Sequence, residues 1–129
     1  MVLHDDPDFT VLIEPERKYV EISMRGYWDD ATMRGFEREL RRLPSVLLAG
    51  GCRIGEQNTL FDTTDYAVQS QEVLAQLGAM VADPSIGSRR IAVLGSSMLG
   101  KLQTRRIAPG YGMFRDRAEA LEWLFEPDA

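Results

Sequence analysis

The chain has 129 residues, 44% of them hydrophobic and 27% charged, and its 15 basic against 20 acidic side chains leave a net charge of −5. That is one domain's length with apolar material for its own core, and no apolar run approaches the roughly 18 to 20 residues of a membrane span. The acidic balance argues against general nucleic-acid binding, which needs a basic face to displace counterions.

The single cysteine, Cys52, excludes an internal disulfide and suits a cytoplasmic protein. The opening MVLHDDPDF lacks the basic-then-apolar layout of a secretory signal. In chain order, residues 1–8 read as a frayed acidic tail closed by Pro7. Phe9–Glu14 is β-rich, 15–18 is a turn, and Tyr19–Met24 alternates so that Val20, Ile22 and Met24 share one side. These two runs are expected to pair as an antiparallel hairpin. Asp29 or Asp30 can cap a helix over 30–43, in which Met33, Phe36, Leu40 and Leu43 recur at three and four, and Pro44 is expected to stop it. Residues 45–56 read as an irregular, glycine-bearing connection.

Residues 59–62 then form a central strand and 70–83 a helix with Val73, Leu77 and Met80 on one side and Ser70 at its entrance. The nearly all-apolar RIAVLG of 90–95 has the composition of a strand covered on both faces. Ser96 or Ser97 caps a helix carrying Met98, Leu99 and Leu102 and ending in Arg105 and Arg106. Residues 110–114 form a short edge strand, and Asp116 with Glu119 opens a last helix bearing Leu121, Trp123, Leu124 and Phe125. The order is that of a single α/β domain: a mixed sheet of about five strands, hairpin first and parallel crossovers after it, with about four helices.

No catalytic constellation converges. Gly95 to Lys101 matches the first seven positions of the phosphate loop GxxxxGK[ST], but Leu102 stands where a hydroxyl would hold magnesium, so nucleotide hydrolysis is rejected. One histidine, His4, and one cysteine make neither a nucleophilic pair nor a zinc set, and Cys52 between glycines reads as a small, partly exposed residue. No metal and no cofactor is expected, and the chain is not expected to be an enzyme.

Asp62 and Asp65 flank Thr63 and Thr64 at the central strand's end, where ligands gather in open α/β sheets; turn geometry and the start of the following helix are the favoured explanation. Ser96, Ser97, Lys101, Arg105 and Arg106 form a patch for an anion or an acidic partner, with Arg89 and Arg90 in the same basic concentration, or else a solvated face. Trp28, Met33 and Phe36 are candidates for the wall of an apolar pocket. Met24, Met80, Met98 and Met113 add adaptable surface.

Residues 29–43, Phe61-Asp62 with the following helix, 89–95, Gln103 to Arg106 and 114–124 together resemble a STAS-type domain, the fold of bacterial anti-sigma-factor antagonists. More closely they resemble the STAS-like bacterial proteins grouped with CRAL-TRIO lipid carriers. The resemblance implies a regulatory module with a protein partner, and a serine at the start of the helix after the central strand that a kinase phosphorylates. Ser70 falls at that place. The usual Asp-Ser-Ser-Gly is replaced here by Gln69-Ser70-Gln71-Glu72, so an ordinary helix cap is the competing role. The other implied function is a small carrier holding an apolar ligand, such as a lipid, between helix and sheet. A homodimer is compatible with either.

Overall fold

A computed structural model describes residues 1–95, 98–108 and 110–128, the side chains of 98 and 99 excepted. Its centre is a six-stranded sheet in the simple order β1 to β6: Val2–Asp5, Phe9–Glu14, Tyr19–Gly26, Asn58–Tyr66, Arg90–Leu94 and Gly112–Phe114. The first three strands pair antiparallel and the last four run parallel. Five α-helices accompany them: α1 Asp30–Leu40, α2 Leu43–Ala49, α3 Gln71–Val81, α4 Met98–Ile107 and α5 Arg117–Leu124. This is the expected α/β architecture, with one more strand and one more helix.

The additional strand is β1, which replaces the expected frayed tail. Val2 pairs with Leu12, and the Met1 carbonyl accepts from the Ile13 N–H at 2.8 Å. What looked like disorder is turn chemistry. Asp6 Oδ1 accepts from the N–H groups of Asp8 and Phe9 at 2.7 and 3.0 Å, folding the chain back before Pro7 and Asp8 lead into β2. His4 is therefore fixed, its ring stacked on Phe9 with centroids 4.0 Å apart and its Nε2 2.6 Å from Asp6.

The additional helix is α2. Pro44 sits in its first turn, where a missing N–H costs nothing, so the proline begins a helix instead of stopping one. Asp29 caps α1 by accepting from the Thr32 N–H at 2.8 Å, and α1 buries Met33, Phe36 and Leu40 as the spacing requires. Leu43 and Leu47 of α2 are buried with them, and so is Cys52, fully enclosed and not partly exposed. Burial, and secondarily Glu56, raises the Cys52 thiol pKa, so nothing activates it as a nucleophile.

Strand order explains the layering. Parallel strands that advance one place at a time, joined by crossovers of one hand, put all the crossover helices on one face. That face buries Phe9, Val11, Ile13, Ile22, Trp28 and Phe36, among others, beneath the helices. α5 folds over the opposite face, where Tyr19, Leu60, Ala92, Leu94, Ala120 and Leu124 form a second core. The apolar run of β5 is thus covered from both sides.

Arg89 and Arg90 belong to this second layer and not to a basic patch. Arg89 donates to the Leu124 carbonyl at 2.9 Å, to Asn58 Oδ1 at 2.8 Å and to the Glu126 carbonyl. Arg90 donates to the Trp123 carbonyl at 2.7 Å and lies over the Trp123 ring. Both guanidinium groups satisfy the free carbonyls at the end of α5, which also carry the negative end of its dipole.

Candidate functional site

β4 is longer than expected, because its register against β3 shifts between Ser23 and Arg25 and pairing resumes at Arg25 with Asp65 and Gly26 with Tyr66. Asp62, Thr63, Thr64 and Asp65 consequently lie within the strand, not in a loop beyond it. Asp62 Oδ1 accepts from both the backbone N–H and the hydroxyl of Thr64, at 3.0 and 2.6 Å. Thr63 donates its hydroxyl to the Leu94 carbonyl at 2.9 Å, and Asp65 is exposed. Among the described residues no three histidine, cysteine or acidic side chains group as metal ligands.

Ser70 stands at the N-terminus of α3 with its hydroxyl accepting from the Val73 N–H at 3.2 Å, the geometry of a helix cap. It is half-buried, while Ala67, Val68, Gln71 and Glu72 around it are exposed. Immediately before it, Gln69 is an interior polar hub that nothing in the sequence signalled. Its Oε1 accepts from the Trp28 N–H at 2.9 Å, and its Nε2 donates to the carbonyls of Gly26 and Ala67 at 2.9 and 2.6 Å. Its backbone is held by the Gln103 amide of α4, which accepts from the Gln69 N–H at 3.1 Å and donates to the Gln69 carbonyl at 3.2 Å. Three elements converge there.

Tyr27 and Trp28 divide. Trp28 is 1% exposed and donates its indole N–H to the Arg25 carbonyl at 2.9 Å, whereas Tyr27 is 66% exposed. The Ala67 N–H bonds to the Gly26 carbonyl, so Tyr27 and Val68 emerge at the same edge of the sheet as Ser70. Tyrosine beside a small aliphatic residue is a composition common in protein contacts.

Between the helical layer and the parallel strands lies a cavity of about 420 Å³. Alternate residues of the strands make its floor: Ile22 of β3, Phe61 and Thr63 of β4, Ile91 and Val93 of β5, and Met113 of β6. Its roof comes from α3 and α4, with Leu77 and Val81 of the former and Gln103, Thr104 and Ile107 of the latter. Phe36 contributes to the wall, but Trp28 and Met33 do not, because α1 presses both into the core beside it. Met24, Met80 and Met113 reach the cavity, and the Met98 side chain lies outside the described residues.

The cavity exists because α4 does not fill it. α4 packs against α3 more than against any strand. It turns Leu102 outward at 53% exposure and presents Gln103 and Thr104 inward. Two tyrosines share the lining. Burial pushes the Tyr111 hydroxyl up to about 12 and the Tyr66 hydroxyl further above its ordinary range, so both are neutral donors. The Tyr66 hydroxyl is buried and has no hydrogen-bond partner among the described residues. Such a group costs about 1–3 kcal/mol unless something pairs with it.

Of the expected basic patch, Lys101, Arg105 and Arg106 are exposed on α4, Lys101 in its first turn and Arg105 and Arg106 in its last. Ser96 and Ser97 lie outside the described residues. Gly95, first glycine of the phosphate-loop-like run, has a packing reason: a Cβ there would stand 2.6 Å from Thr63 Oγ1.

No protein-family model matches the chain, and no curated protein matches it. Solved structures do. An uncharacterized protein of the DUF3478 family with a SpoIIAA-like fold, from Shewanella loihica PV-4, superposes with a TM-score of 0.67 at 20% identity, covering 94% of this chain and 97% of that one. An anti-sigma factor antagonist from Mycobacterium paratuberculosis superposes with a TM-score of 0.58 at 13% identity, covering 95% of this chain and 100% of that one. The chain therefore has a STAS-like, SpoIIAA-like fold.

Proposed function

We propose that this chain is a non-enzymatic regulatory module that binds a protein partner through the loop between β4 and α3 and the first turn of α3. The observation that carries the reading is the surface itself. Ser70 caps a helix at the open edge of the sheet, with Tyr27 and Val68 exposed next to it and the Gln69 hub fixing the backbone from beneath. The likeness in fold to an anti-sigma factor antagonist supports a regulatory role for such a surface. A phosphate on Ser70 would meet free N–H groups and the positive end of the α3 dipole, opposed by the neighbouring Glu72. A cytoplasmic partner protein is the natural counterpart.

Partner capture from the native cell, with wild-type chain, Ser70→Glu and a Tyr27→Ala/Val68→Ser pair as baits, tests this. A specific protein retained by wild type and lost by the Tyr27/Val68 variant is the expected result. Equal retention by all three folded forms overturns it.

A second reading has its own observation, the cavity between the sheet and the α3–α4 layer. A volume of about 420 Å³ falls in the roughly 300–1,000 Å³ range of small-molecule pockets. On this reading the module carries or senses an apolar ligand held there. Native mass spectrometry of freshly purified protein should then show a co-purifying small molecule, released on denaturation. The bare chain mass, with no small apolar molecule taken up on incubation, removes it.

A further inference from the structure

The distribution of charge around the cavity says more about what would occupy it. At the edge of the sheet where the parallel strands end, Lys101 in the first turn of α4 and Arg115 just after β6 both reach the cavity rim. Neither has an ion-pair partner within 4.0 Å among the described residues, although nine other basic side chains do. The one opposing charge on the lining is Glu119, exposed in the first turn of α5. Away from this rim the floor is Ile22, Phe61, Ile91, Val93 and Met113 with Thr59, and the far end is lined by Ile86, Ser88 and Ile107.

Resting on the reading of the cavity as a ligand site, we infer that its ligand is an amphipathic monocarboxylate: an acid head at Lys101 and Arg115, with an apolar tail along the strands beneath α3 and α4. The two cations supply charge-assisted hydrogen bonds at an edge open to water. An uncharged apolar molecule would fill the same floor but leave both cations without a partner. The head group thus sets the preference and the tail provides the driving force.

Calorimetric titration of the full chain with octanoate and with octanol separates the two contributions. Octanoate is expected to bind at least tenfold more tightly than octanol. Lys101→Gln/Arg115→Gln should abolish that preference by weakening octanoate at least tenfold. Equal affinity of wild type for acid and alcohol overturns the head-group assignment and leaves the ligand cavity standing. Failure of both to bind overturns the cavity reading and this inference together.

Discussion

Gln69 shows how much one side chain can organise here. At 5% exposure it satisfies a donor from the β3–α1 connection and two carbonyls, so removing its amide leaves the buried Trp28 N–H without a partner and takes a donor from the carbonyls of Gly26 and Ala67. Gln69→Leu should therefore destabilise by about 1–3 kcal/mol, the cost of an orphaned buried group, measured by chemical denaturation. Ser70 is a smaller matter. Ser70→Ala removes only the cap to Val73 and should cost about 0.5–2 kcal/mol, with Ser70→Gly milder; an unchanged denaturation midpoint for Ser70→Ala would refute the cap. Ser70 was legible from a polar residue ahead of an apolar helical stripe. Gln69 was not, because a glutamine in a loop carries no local mark of burial.

At the level of elements, the surprises share one cause: short segments whose partners lie elsewhere in the chain. β1 exists because β2 offers it an edge, and the Ile13 N–H bonded to the Met1 carbonyl reports the pairing. Hydrogen exchange should find that amide protected, and removal of residues 1–5 should release it. A rapid-exchanging Ile13 in the intact chain would return residues 1–8 to a tail. β6 is equally short and depends on closeness to α5. A Cβ on Gly112 would lie 2.9 Å from the rings of Phe114 and Trp123, so Gly112→Ala should cost about 1–3 kcal/mol by overpacking. α4 is the instructive case for the site. Its apolar residues assign no buried side along the chain, and the helix turns Leu102 out and leaves a cavity behind Gln103 and Thr104.

For the whole molecule, the helices of one layer are joined by a polar tie as well as by their shared core. Arg41, just past α1, donates to Asp83 at 2.6 Å, and Asp83 also accepts from the N–H and hydroxyl of Ser85. The Arg41 hydrogen bond first, and those from Ser85 next, hold the Asp83 carboxyl down to about 2, against an ordinary 3.8. A carboxyl depressed in the folded state stabilises above its unfolded pKa and loses that contribution as pH falls through the folded value. Melting temperature should accordingly decline between about pH 4 and pH 2, and Asp83→Asn should flatten that limb. An identical acid limb in the variant would assign the loss to other carboxyls, such as Asp29, which the Thr32 N–H also holds below its usual range.

By itself the sequence determined the α/β class, the hairpin of β2 and β3, the interior place of β4, the caps at Ser70 and Asp116 and one at Asp29 or Asp30, and the doubly covered β5. Each of these rests on periodicity, turn chemistry or capping, which act within a few residues along the chain. Only the tertiary structure decided that residues 2–5 complete the sheet, that Arg89 and Arg90 close α5, and that α4 stands off the strands to leave a lined cavity. Those outcomes depend on how far apart packed layers come to rest, and that distance is set by all the side chains between them at once.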